Sequence, residues 1–309
     1  MSNHEAPSKT RQTVPRVFLG LFFCVSATLK LLSLTEFELY VFSFGLASFD
    51  LCSVAARLLV AGEAVLGLGL LSGWWKRFVN ISTAVLLLSF SAFLLWRTAV
   101  GDEQSCHCFG AFADMGPSDS LWKNVACAVL LYLGRQGGEI PLEARFRPWV
   151  AAGLCVAVLA TVVAVNPPDF FYRLTKPDSS DLNVAECQKL GLSAEGKKVV
   201  CFYSVDCEHC RHCVSKMAGI IRHNSLPEED FLCVFMGKGE DDDAAVSEFF
   251  KTDGGGIALP YQILDPLTFI QLTNGSMPLV CLFDNGSLLK EYDLLKLDEQ
   301  EITSFQERN

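Results

Sequence analysis

Charge is scarce in this sequence, and positive charge scarcer than negative: charged residues make up 19% of 309, with 25 Lys and Arg against 35 Asp and Glu. The formal net charge of −10 sits mostly beyond residue 180, in runs such as 240–243 and 298–301, which argues against a nucleic-acid partner. No tandem repeat or low-complexity tract is visible, so no repeat architecture is expected. A short basic region precedes the first apolar run, but no clear small-residue cleavage site follows it. That run is therefore expected to remain as an anchor rather than to be removed as a signal peptide. What the chain has in plenty is apolar residues, 50% of the total, and cysteine, of which there are 13. So many thiols imply redox chemistry, metal binding or an oxidising compartment, and their spacing has to decide between these.

The apolar residues are unevenly placed. Five stretches approach the length needed to cross about 30 Å of hydrocarbon as helices. They are residues 17–34, 53–73, 78–96, 120–133 (the shortest) and 149–165. Cations set the orientation: Lys9, Arg11 and Arg16 precede the first stretch, Lys76 and Arg77 separate the second from the third, and Arg135, Arg145 and Arg147 separate the fourth from the fifth. Those three segments are expected on the cytoplasmic side. The loop 97–119, with Asp102, Glu103, Asp114 and Asp119, is then outside, and an odd number of spans puts the C-terminal half outside too. Residues 37–51 mix aromatics with Glu38 and Asp50 and read as an amphipathic helix at the outer interface. Inside the spans, Lys30, Arg57 and Lys123 lie near outer ends and are expected to snorkel. Glu63 is nearer mid-span and reads as a structural, hydrogen-bonding carboxyl, with proton carriage as the alternative.

The outer loop carries Cys106-His107-Cys108-Phe109-Gly110. Two thiols one residue apart close only a small, strained disulfide ring, and strain makes a disulfide easier to reduce. Cys106 and Cys108 therefore suit electron exchange better than stapling; half a metal site with His107, or pairing elsewhere, are the alternatives.

The series Arg16-Val-Phe-Leu-Gly20, Ser26-Ala-Thr-Leu-Lys30-Leu, Glu63 with Gly67 and Gly69, and the Cys-His-Cys-Phe-Gly loop resembles the MauE (methylamine utilisation) branch of the DoxX-like membrane proteins, over residues 15–166. The resemblance implies a four-helix membrane domain that serves disulfide formation in partner proteins through Cys106 and Cys108.

Residues 167–181, with Pro167, Pro168 and Pro177, read as a linker. Beyond them strands alternate with helices. Strands are predicted at 199–204, 231–236, 261–264, 279–283 and 287–292, and helices at 208–222, 244–250, 266–273 and 297–306, with a leading element at 185–190. Asp284-Asn285-Gly286 is a strong hairpin signal. The fold class expected is thus an α-helical membrane bundle of four to five spans (16–166, after a tail 1–15), followed by an α/β domain at 182–309.

At the first strand-to-helix junction stands Cys207-Glu208-His209-Cys210. A cysteine at a helix N-terminus meets unpaired N–H groups and the positive end of the macrodipole, both of which favour a thiolate, and the second cysteine lies one turn along, within disulfide reach. Cys207 is the expected attacking sulfur and Cys210 the resolving one. His209 adds a protonatable neighbour. Cys207, His209, Cys210, His212 and Cys213 also crowd as metal ligands do, but no second C-x-x-C or H-x-x-H lies downstream to complete a zinc site. Cys213 reads as a small buried residue or a third redox thiol; Cys187, Cys201, Cys233 and Cys281 read as packing residues, with a structural disulfide among them as the alternative.

Strand, C-x-x-C, helix and a late Met277-Pro278 before a strand together resemble the thioredoxin superfamily over 182–309, in its MauD or TlpA-like branch. The resemblance implies that Pro278 is the cis-proline beside the cysteine pair, aiding substrate docking. Two departures stand out: Cys201 occupies the place of the family's buried acid, and Val205-Asp206 replaces the tryptophan before the motif. The expected function is a membrane-bound thiol-disulfide oxidoreductase of the bacterial inner membrane. It would pass electrons between thiols of periplasmic client proteins, the Cys207/Cys210 pair and the Cys106/Cys108 loop, in the oxidative direction. No bound cofactor or metal is expected; a quinone is the candidate electron acceptor, and the lipid bilayer the other partner. A reductive relay and a soft-metal-binding membrane protein are the rivals.

Overall fold

A computed structural model of the chain describes residues 9–100, 116–136, 138, 147–175, 181–192, 196–239 and 241–307, with backbone alone for 9–11. The chain divides into two compact units: Met1–Phe37 with Val54–Pro167, and Glu38–Ser53 with Pro168–Asn309.

The first unit is helical: α1 (Lys9–Leu32), most of α3 (Phe49–Ser72), α4 (Lys76–Val100), α5 (Pro117–Gly134) and α6 (Arg147–Val165), with the start of α2 (Leu34–Phe42). Stretches of α1, α3, α4 and α6 are long and apolar enough to cross a membrane. Helix α5, which carries Asp119 and Lys123 in its first two turns, is not among them by composition. It nevertheless runs antiparallel to α4, with Asn124 Nδ2 donating to Ser91 Oγ at 3.1 Å near one end and Asn80 Nδ2 to the Arg135 carbonyl at 3.3 Å near the other. Its buried stripe, Ser120, Asn124, Cys127, Leu131 and Gly134, keeps the three- and four-residue spacing of one helix face.

Glycine lets α1 and α3 approach closely. A Cβ on Gly67 would sit 2.7 Å from Cys24 Sγ, and one on Gly20 would sit 3.0 Å from the Gly67 carbonyl, so only a bare backbone fits at this crossing. Arg16 lies against both Gly73 and Gly134, and Thr13 Oγ1 accepts from the Gly138 amide at 2.7 Å, so the cation-rich ends of α1, α3 and α5 meet at one end of the bundle. At the other end, Asn166 Nδ2 donates to the Leu31 carbonyl (2.8 Å) and Arg57 Nε donates to the Asn166 carbonyl (2.9 Å), clasping α1, α3 and the exit from α6.

Two expectations need correction. Lys30 and Arg57 do not snorkel; both are buried inside the unit. Lys30 is ion-paired with Glu63, whose second oxygen accepts from Ser26 Oγ at 3.3 Å, and the Lys30 ammonium lies 5.7 and 5.9 Å from the Phe37 and Phe90 ring centres. Pairing and ring faces replace the water that snorkelling would have reached.

The second unit carries a five-stranded sheet built from β1 (Lys197–Tyr203), β2 (Phe231–Met236), β3 (Tyr261–Leu264), β4 (Leu279–Asp284) and β5 (Ser287–Tyr292), in the order β3-β2-β1-β4-β5. Strands β1, β2 and β3 are parallel; β4 runs antiparallel to β1 and pairs with β5 through the predicted hairpin. Asn285 and Gly286 have φ of 47° and 81°, the left-handed pair that a two-residue type I′ turn demands. Both faces of β1 are buried, Val199, Cys201 and Tyr203 in one core and Val200 and Phe202 in the other, so this strand reads as an unbroken apolar run. Helices α8 (Val184–Lys189), α9 (Glu208–Asn224), α10 (Asp242–Thr252), α11 (Pro266–Thr273) and α12 (Glu299–Glu307) cover the sheet, as the thioredoxin-like α/β pattern requires.

Segment Glu38–Ser53 is part of this unit. Phe42 and Phe49 pack edge to face, 5.3 Å apart, in the same core as α9. Gly219 of α9 lies beneath the Phe42 ring so closely that a Cβ there would come within 2.6 Å of Cδ1. Glu299, 7% exposed, accepts from the Phe49 amide and is hydrogen-bonded to His223 Nδ1, both at 2.7 Å. Within 167–181, Asp169–Thr175 forms helix α7, whose Asp169 is paired with Lys216 of α9 at 2.7 Å; both are buried, and the ammonium also lies 3.9 Å from the Phe49 ring centre. Arg173 of α7 pairs with Asp50 and, at 3.2 Å, with Asp298.

Candidate functional site

Strand β1 ends at Tyr203, and four residues later Cys207 caps α9 from extended backbone (φ −85°, ψ 115°). Its Sγ accepts from the Cys210 amide at 3.4 Å, so the sulfur itself takes the capping place usually filled by a serine or aspartate oxygen. The Cys210 N–H and the positive end of the helix dipole therefore act on this sulfur. Cys207 is partly exposed, whereas Cys210, one turn on, is fully buried and its Sγ accepts from the Ser204 amide at 3.5 Å. Burial pushes the Cys210 thiol well above its ordinary 9.0; its contact with Cys207 adds to this and the Ser204 amide opposes it. The two sulfurs are thus unequal, one reachable and one held as a thiol.

The Met277–Pro278 peptide is cis. Leu279 pairs with Phe202, and one further step of that antiparallel register sets Pro278 opposite Tyr203, at the end of the sheet from which the cysteine loop departs. Met277 packs against the same core as Cys207. Asp206, before the motif, is ion-paired with Lys238. Cys106 and Cys108, with the rest of the C-x-C loop, lie outside the described residues.

The crowded Cys/His segment is split between helix faces. His209 is exposed, His212 is partly buried with its pKa held below 6.5 chiefly by that burial, and Cys210 and Cys213 point into the core. Cys201, in the place of an acid, is fully buried and pairs in register with Cys233 on β2. Sequence reasoning missed Lys216, Asp169 and Glu299, which fix the far side of α9. A lysine flanked by Ser215 and Met217 on a helix otherwise apolar on that face was the available signal for Lys216.

Residues 9–135 match the family described as Methylamine utilisation protein MauE. The chain is also similar to a curated protein named Protein TlpB from Flavobacterium psychrophilum, 23% identical over 341 aligned positions that cover 90% of each chain. No solved structure matches the chain significantly. With its apolar helices and a segment that matches the MauE family, the chain is a membrane protein whose second half is a thioredoxin-like α/β unit.

Proposed function

We propose, taking the MauE-family domain at residues 9–135 as premise, that this protein is a membrane-bound thiol-disulfide oxidoreductase that forms disulfides in client proteins outside the cytoplasm. The observation that carries the reading is the unequal pair at the start of α9: Cys207 caps the helix and is reachable, and Cys210 is buried behind it. A client thiolate attacks the Cys207–Cys210 disulfide at the exposed Cys207 sulfur, Cys210 leaves, and the client's second thiol displaces Cys207 to complete the transfer. Two electrons and two protons then remain on the pair. The Cys106/Cys108 loop is the proposed acceptor of those electrons, and a lipid-soluble quinone their onward carrier. Pro278, at the same sheet end, is the proposed docking residue for the client backbone.

Convergence of the cation-rich ends of α1, α3 and α5, and of the opposite ends of α1, α3 and α6, supports five crossings that leave residues beyond 166 outside. The test is oxidative refolding: full-length protein in detergent, oxidised first, is mixed with a reduced, unfolded disulfide protein of known pairing. Activity should appear with wild type and vanish in Cys207→Ser. Equal rates for the two would end the proposal.

A further inference from the structure

Cysteine recurs at every third position along the start of α9, at 207, 210 and 213, and the third has no part in the exchange just described. Cys213 is fully buried, yet its surroundings are not those of a mere packing thiol. The Tyr203 hydroxyl donates to its Sγ at 3.7 Å, and the Lys216 ammonium stands close enough to favour its ionised form. Cys201 and Asp293 act the other way, and burial, the largest influence, carries the thiol up to about 12. Cys213 is near enough to Cys210 to help raise the Cys210 thiol. Helical residues three apart have Cα atoms about 5 Å apart, inside the roughly 4.4–6.8 Å that a disulfide accepts, while their Cβ atoms, about 5–6 Å apart, must close to roughly 3.5–4.5 Å, so the bond forms with a local tightening of α9.

Building on the exchange reading of Cys207 and Cys210, we propose that Cys213 is a third redox-active thiol that can take the disulfide over from Cys207. The Cys213 sulfur attacks Cys210 Sγ; the Cys210–Cys213 bond forms as the Cys207–Cys210 bond breaks, and the proton lost by Cys213 is regained by Cys207. No outside oxidant or reductant is involved, since one disulfide replaces another. The Tyr203 hydroxyl is the positioning group, holding the Cys213 sulfur and stabilising its charge as it attacks. The product keeps the oxidising equivalent in the core while Cys207 is free at the surface. In that form the enzyme can attack a client disulfide rather than a client thiol, which adds disulfide shuffling to disulfide formation.

The experiment uses full-length protein in detergent, reduced, desalted, treated with diamide, blocked with iodoacetamide and digested with trypsin. Cleavage after Lys198, Arg211 and Lys216 leaves Cys201, Cys207 and Cys210 on one peptide and Cys213 on another, so fragmentation of the joined peptide pair shows which of the three is bonded to Cys213. In Cys207→Ser, the Cys210–Cys213 pair should be the main product, lost on adding Cys213→Ala and reduced by Tyr203→Phe. In oxidised wild type, a fraction of Cys207 should be alkylated while the Cys210–Cys213 pair is present. Recovery of Cys210 and Cys213 as free thiols in Cys207→Ser, with wild type forming Cys207–Cys210 normally, overturns the proposal and leaves the exchange reading standing. Failure of wild type to join Cys207 and Cys210 would instead count against the exchange reading, and the Cys207→Ser result would still decide the role of Cys213.

Discussion

Removing the carboxylate of Asp169 should strip the thioredoxin-like unit of a large part of its stability. The Lys216 side chain is 1% exposed and that of Asp169 10%, so solvent scarcely screens the pair. In Asp169→Ala the ammonium keeps, among the described residues, the Leu294 carbonyl at 3.4 Å and the face of the Phe49 ring. Leaving one member of a buried pair alone costs about 3–5 kcal/mol. For a unit of this size each kcal/mol moves Tm by about 2–4 °C, so the melting temperature should fall by about 6–20 °C. The double replacement Lys216→Met with Asp169→Leu removes both charges, and it should return to within about 1 kcal/mol of wild type, because the pair's attraction does little more than offset its own desolvation. Thermal unfolding of the full chain in detergent, followed by tryptic digestion of the second unit, reads both variants. A shift of under about 2 °C for Asp169→Ala, or a double variant no better than the single, would refute this reasoning.

Three other outcomes follow from the same structure. Gly219→Ala should cost about 1–3 kcal/mol by driving a methyl into the Phe42 ring, and Phe42→Leu should relieve much of it, a coupling that a double-mutant cycle in urea measures. Within the membrane unit, Glu63→Ala should lower stability in detergent by about 3 kcal/mol, since Lys30 is left without its counter-charge, and adding Lys30→Met should restore most of the loss. Alkali should destabilise the second unit. Cys187 and Cys213 are pushed from 9.0 up to about 12 chiefly by burial, so below pH 9.0 both folded and unfolded chains hold these protons and nothing changes. Above it the unfolded chain ionises first, and stability is lost at up to about 1.4 kcal/mol per pH unit for each such thiol until the folded values are reached. Urea midpoints between pH 8 and 10.5 should fall, and fall less steeply in Cys187→Ala.

Much of this fold was legible before the structure. Strands at 231–236 and 261–264 and the helix at 266–273 have their predicted bounds, because apolar runs and the Asp265-Pro266 start leave little choice. The C-x-x-C motif stands at a helix start for a reason visible in sequence, a β-prone run giving way to helix formers. Segment 37–51 was less readable. Its mixture of aromatics and acids suits a membrane interface as well as a protein core, and only tertiary packing around Gly219, His223 and Glu299 chooses the core. Lys30 and Arg57 misled for a related reason: position near a span end suggests snorkelling, but partners from distant helices, Glu63 and Asn166, are invisible to local pattern. Helix α7 escaped notice because three nearby prolines signal a linker, while the pairing of Asp169 and Arg173 that holds it is long-range.

The central claim is that the membrane loop and the α9 cysteines form one oxidising relay. The most direct test traps the in-cell redox state of Cys207 and Cys210 by acid quench and thiol alkylation, in wild type and in Cys106→Ser with Cys108→Ser. The relay predicts that the pair accumulates reduced in the variant, having lost its oxidant. Accumulation in the oxidised form would reverse the direction of electron flow, and an unchanged redox state would mean that the two halves exchange no electrons.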